Sequence, residues 1–158
     1  MNIRTNMLWR VPVYCAAASW AAFYLTVFLG RFFFMVITIG EDGGSQLSVD
    51  PVRSAVFNGV LFAAVLLIGG LWAFRSMTKA EIAVSAGIIS AVYLLIALAQ
   101  LSFASFPTSI SAVLAYIQTW TGILSSLLMK ATNNIYAAAI LSSFAPMLFV
   151  PFGKRLNT

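Results

Sequence analysis

The sequence predicts an all-α, polytopic helical membrane protein, with about five transmembrane helices in an antiparallel bundle. Three observations predict it. The 158 residues are 61% hydrophobic and only 8% charged, whereas soluble domains carry roughly 25% charged residues. A soluble fold of this length could not cover so much apolar surface, so the excess must face lipid or a partner. Apolar runs also recur along the chain, and ~20 residues at ~1.5 Å each cross a hydrocarbon core of ~30 Å. Finally, most Lys and Arg residues flank those runs, as membrane-flanking cations do. That placement makes the net charge of +5 a poor sign of nucleic-acid binding. No break in composition marks a soluble domain, so the chain reads as one integral membrane domain. The spans are expected at residues 11–39, 53–74, 80–103, 109–129 and 134–152.

The first span, VPVYCAAASWAAFYLTVFLGRFFFMVITIG, holds one charged residue, Arg31. Its apolar run is too long for the ~7–15 residues of a signal-peptide core, so it reads as an uncleaved anchor. Trp9 and Tyr14 suit an interface, and Pro12 fits a first helical turn. Cys15, Ser19, Ala22, Thr26 and Gly30 fall on one small-residue face, a seam that lets another helix approach closely. Arg31 lies about twenty residues into the span, roughly 30 Å from its start. The ordinary reading there is an arginine reaching to head groups. The functional one is an anchor for an anionic group or for the carboxylates of Glu41 and Asp42.

The loop after it carries Glu41, Asp42 and Asp50. These are too scattered for calcium, which takes roughly six to eight oxygens. Asp50-Pro51 reads as a helix start, with Asp50 as the cap. In the second span Gly59 and Ala63 form a small pair, while Gly69-Gly70 marks a bend or a close neighbour. Thr78 and Glu81 have the spacing of a capping box, which accounts for Glu81 without catalysis. The third span carries Ala83, Gly87 and Ala91 at contact spacing. Pro107 marks the following turn. The fourth span is the most polar: Ser111, Ala115, Gln118, Gly122 and Ser125 share a stripe beside Thr119 and Thr121. An unpartnered amide in hydrocarbon costs several kcal/mol, so Gln118 must find an interhelical partner. Alternatively Gln118, Tyr116, Trp120 and Thr121 line a ligand cavity. Asn133 can cap the last span, and Pro146 should kink or break it.

With the N-terminus in the cytoplasm, Arg4, Arg10, Arg75, Lys79 and Lys130 lie inside, as the positive-inside bias requires. Glu41, Asp42, Asp50 and Arg53 then lie outside. Five spans leave Lys154 and Arg155 outside as well. Either the last segment is re-entrant, the two tail charges are tolerated, or a span is miscounted. The plasma membrane is the expected location.

The composition excludes several chemistries. There is no histidine, one cysteine and no G-x-x-x-x-G-K-[ST] loop. Histidine-based zinc sites, haem ligation through histidine and an intrinsic ATPase are thereby removed. All four acids fall in loops or at helix starts, so no carboxylate pair stands within a span for proteolysis or proton relay. No cofactor or metal is expected. Two classes remain. The first is a non-catalytic transport component, substrate-binding component or subunit of a larger membrane complex. The second is a membrane-embedded enzyme acting on a lipid head group at the outer interface through Arg31, Glu41 and Asp42. Candidate ligand-binding residues are Arg31, Tyr116, Gln118, Trp120 and Thr121. Expected partners are the lipid bilayer and a membrane-protein partner or second copy, with no nucleic acid.

Overall fold

A computed structural model describes residues 4–39, 44–102 and 108–154. Glu41, Asp42, Pro107 and Arg155 lie outside the described residues, as do the side chains of Ser111 and Ala115. The chain forms a helical bundle of α1 (Arg10–Phe33), α2 (Pro51–Ile68), α3 (Lys79–Ser102), α4 (Thr108–Thr132) and α5 (Ile135–Ser143). Among the described residues, four stretches are long and apolar enough to cross a membrane: Thr5–Phe33, Pro51–Ala73, Lys79–Ser102 and Ile135–Phe152. Many large apolar side chains on them point outward, including Trp20 at 61% and Leu95 at 67% exposure. Water would penalise such a surface and lipid does not.

α1 stops at Phe33 instead of continuing to 39. Val36, Ile37, Thr38 and Ile39 are four consecutive β-branched residues, which crowd a helix and suit a strand. They form β1 (Met35–Ile39), paired antiparallel with β2 (Ser45–Val49) in the register Met35↔Val49, Ile37↔Leu47 and Ile39↔Ser45. The hairpin is fastened to the bundle where the Asp50 N–H donates to the Phe34 carbonyl at 2.8 Å. Asp50 then caps α2, accepting from the Val52 and Arg53 N–H groups at 2.9 and 3.0 Å, with Pro51 in the first turn. Sequence and structure agree at this boundary because the signal is local.

α2 ends in a π-helical turn, Gly69–Ala73. The Tyr14 hydroxyl donates to the Val65 carbonyl at 2.6 Å just before it. Gly69 is in contact range of the Tyr14 and Phe149 rings, so close that an added Cβ would sit 2.7 Å from each. The glycine pair therefore marks close packing, as its sequence position implies. Thr78 and Glu81 form the capping box at the head of α3: Thr78 N–H donates to Glu81 Oε2 at 2.9 Å, and Glu81 N–H to Thr78 Oγ1 at 3.3 Å. The buried face of α3 is Ile82, Ser85, Ala86, Ser90, Tyr93 and Ala97. Gly87 meets Met147, whereas Ala91 is exposed.

The core joins Val11, Cys15 and Ala22 of α1 with Phe74, Ile82, Tyr93, Trp120 and Phe149. The predicted seam of α1 is its packing face, with Cys15, Ser19, Ala22 and Gly30 all buried. α1 packs closely on α4. α4 closes with Asn133, whose positive φ of 51° ends the helix while its N–H reaches the Met129 carbonyl at 2.8 Å. Asparagine tolerates this left-handed position. The cap of α5 is accordingly Asn134, not Asn133, and it accepts from Ala137 N–H at 3.1 Å. Pro146 breaks the last helix as expected: α5 stops at Ser143 and the chain continues as 3-10 helix over Ala145–Phe152.

The last segment runs back along α3, with Met147 beside Gly87 and Gly153 against the Lys79 backbone. Lys154 joins the α2–α3 turn, its N–H donating to the Met77 carbonyl at 3.0 Å and its carbonyl accepting from Lys79 N–H at 3.2 Å. Lys154 thus lies at the same end as Arg4 and Arg10, which bond Glu81 and Ser76. Lys130 goes the other way. Its Nζ donates to the Pro51 carbonyl at 3.0 Å, at the hairpin end. The expected grouping, with Lys130 beside Arg4 and Lys154 at the opposite end, is therefore reversed. The reason lies in α4. It meets α3 through Gln118 and Tyr93 and rises toward the hairpin end, so it does not carry the chain across between α3 and α5.

Candidate functional site

A polar cavity of about 150 Å³ lies between α3, α4 and the last segment. Gln100, Gln118, Thr121, Ser125, Ser142 and Ser143 supply its polar lining. Ala97, Gly122 and Ala139 also line it, and their small side chains leave the space between the polar ones. The cavity arises where the breaks in the last segment bring paired serines opposite the most polar helix.

The hydroxyl protons of the lining are largely committed to backbone. Thr121 Oγ1 donates to the Gln118 carbonyl at 2.9 Å, and Ser142 and Ser143 both donate to the Ala139 carbonyl, at 3.0 and 2.9 Å. A hydroxyl that has donated keeps its lone pairs, so the lining offers mainly acceptors. Gln118 Nε2 donates to the Tyr93 carbonyl at 3.3 Å, the interhelical partner that its depth in the membrane demands.

Behind Gln118 a second polar group continues toward α1. The Tyr93 hydroxyl donates to the Ile117 carbonyl at 3.3 Å. The Ser19 hydroxyl and the Trp120 indole lie beside it, although neither Ser19 Oγ nor Trp120 Nε1 makes a hydrogen bond of normal geometry. Ser90 Oγ is likewise buried without one.

The sequence-predicted residues divide accordingly. Gln118 and Thr121 line the cavity. Trp120 is fully buried in the core, stacked on Phe62 at 5.6 Å and tilted against Phe149 at 5.7 Å. Tyr116 is exposed and packs on Phe23 at 4.4 Å. Arg31 is exposed and does not line the cavity, its guanidinium 4.6 Å from the centre of the Phe32 ring. Positions 116, 118, 120 and 121 spread over about 200° of a helix with ~3.6 residues per turn, so they cannot all face one cavity. Gln100, Ser142 and Ser143 were not singled out as ligand residues, and their convergence needs the fold of the last segment.

At the opposite end of α3, Arg4 grips the buried Glu81 with both arms. Its Nε donates to Oε1 at 2.8 Å and its Nη2 to Oε2 at 3.0 Å. The bond to Glu81 raises the Arg4 pKa above its ordinary value. With Glu81 also capping α3, this arrangement fastens the N-terminus to the α2–α3 turn. Among the described residues no cluster of His, Cys, Asp or Glu could hold a metal. Compared with known proteins, the chain matches no family model, no curated relative and no solved structure.

Proposed function

We propose that this protein is a non-catalytic membrane component that binds and passes a small, uncharged, donor-rich solute through the cavity between α3, α4 and α5. The observation that carries the reading is the lining itself: amide and hydroxyl groups inside an otherwise apolar bundle, with no ionisable side chain among the lining residues. A volume of about 150 Å³ equals about five waters at ~30 Å³ each, which fits a solute of a few heavy atoms. Acceptors that face the cavity favour N–H and O–H donors, and the absence of a fixed charge disfavours ions.

The same reading places the protein in a plasma membrane with Arg4 and Lys154 on the cytoplasmic side. Arg4, Arg10, Arg75, Lys79 and Lys154 gather at one end, where Glu81 is the only acid among the described residues, in keeping with the positive-inside bias. Trp9 and Trp72 are highly exposed at that end, where an interfacial aromatic belt belongs.

Stopped-flow light scattering on proteoliposomes tests the proposal with urea, formamide and glycerol as probe solutes. Wild-type vesicles should equilibrate at least one probe faster than empty vesicles. Thr121→Val and Ser142→Ala, which remove lining oxygens at little change in size, should slow it. Rates equal to empty vesicles for every probe, from protein shown to be folded, would refute the reading.

A further inference from the structure

The hairpin end holds a second opening, which shares no lining residue with the polar cavity. Between the last turns of α1 and the first turns of α2 lies a cleft of about 480 Å³. Its walls include Leu29, Phe33, Val56, Phe57 and Val60, and Arg53 is its one charged lining residue. From Arg53 to Val60 the cleft follows α2 for roughly 10 Å, two turns of helix. Arg53 stands one turn from the start of α2, so the cation is at the end of the span and the apolar wall extends inward from it.

The guanidinium is accessible. Its side chain is 64% exposed, and its one ion pair among the described residues, Nε to Asp50 Oδ2, is long at 3.5 Å. The Asp50 carboxylate is meanwhile engaged by the backbone N–H groups of Arg53 and Val52, which hold its pKa below the ordinary value. Lys130, bonded to the Pro51 carbonyl, adds positive charge at the same helix start. An apolar slot headed by a cation matches an amphiphile with an anionic head. The planar fork of arginine suits phosphate in particular.

We propose that this cleft holds one phospholipid, with its phosphate on Arg53 and an acyl chain against Leu29, Phe33, Val56, Phe57 and Val60. The site is independent of the solute cavity and of its proposed role. Phosphate recognition sets it apart from the general wetting of apolar helices by lipid tails, which needs no cation.

Native mass spectrometry on the full chain, delipidated in mild detergent and titrated with dioleoyl phosphatidylglycerol, tests the proposal. Dioleoylglycerol, with the same tails and no phosphate, serves as the control. The wild type should retain one phosphatidylglycerol and bind dioleoylglycerol about tenfold more weakly, the effect of one charge-assisted hydrogen bond. Arg53→Gln should lose that preference and Arg53→Lys should restore part of it. Val60→Trp, which fills the slot, should weaken both lipids. Circular dichroism and gel filtration confirm that each variant is folded. Equal retention of the two lipids by the wild type would overturn the proposal, as would retention unchanged in Arg53→Gln. A lipid-free dimer broken by Val60→Trp would overturn it in favour of a second copy in the cleft.

Discussion

Alanine at Gly69 and alanine at Gly59 should move the stability of this protein in opposite directions, although both glycines lie on the same helical stretch. A Cβ at Gly69 would stand 2.7 Å from ring atoms of both Phe149 and Tyr14. Neither ring can simply withdraw. Phe149 is fully buried, and Tyr14 is held by its hydrogen bond to the Val65 carbonyl. Overpacking of this kind costs about 1–3 kcal/mol, offset by about 0.8–1 kcal/mol of helix propensity gained over glycine. The net expectation is a loss of up to about 2 kcal/mol. At Gly59 a Cβ would meet nothing within 4 Å, so only the propensity acts and the variant should gain about 0.5–1 kcal/mol. Reversible unfolding in mixed micelles, followed by tryptophan fluorescence, reads both differences from the shift in midpoint. A Gly69→Ala midpoint at or above that of the wild type would refute the packing argument. A Gly59→Ala variant less stable than Gly69→Ala would show that the open face of α2 is covered by another chain.

Three further outcomes follow from the geometry. Trp120→Ala should cost about 3–5 kcal/mol, the range for emptying a buried aromatic site. The same unfolding titration should show Trp120→Phe losing much less, because a ring still reaches Phe62. In single-cysteine variants, Arg75→Cys and Lys154→Cys should be labelled by an impermeant maleimide from one side of the membrane, and Lys130→Cys from the other. Joint labelling of Arg75→Cys and Lys130→Cys would contradict the placement of Lys130 at the hairpin end, opposite the α2–α3 turn. Finally, the lowered pKa of Asp50 means that its ionised form stabilises the folded state. That contribution is complete above the ordinary value of 3.8 and is lost as the pH falls through the lower folded value. Asp50→Asn keeps the helix cap and should remove this part of the acid sensitivity, seen as a flatter dependence of the unfolding midpoint on pH.

Local chemistry carried much of the fold into the sequence. Composition and the length of the apolar runs determined the solvent and the helical class, because only a fully hydrogen-bonded backbone is tolerated in lipid. Asp50-Pro51, the Thr78–Glu81 box and Pro146 each fixed a boundary through contacts within a few residues. The small-residue face of α1 was legible for the same reason, since one helix repeat defines it. Gln118 and Thr121 were recognisable as polar groups in an apolar span that would need partners.

What only the tertiary structure decided depends on contacts far apart in the chain. Arg4 lies 77 residues from Glu81, and no spacing rule joins them. The cavity needs Gln100, Gln118, Ser142 and Ser143 from three elements, and nothing local brings these together. Gly59 and Gly69 look alike in sequence, yet one faces open space and the other two aromatic rings. The course of α4 matters most. Its polarity was plain, but the end of the bundle at which it finishes is seen only in Lys130 meeting Pro51 and Lys154 returning to Met77. An apolar run tells how far a helix can reach, since length and burial are properties of one segment. Where its ends lie is a property of its neighbours.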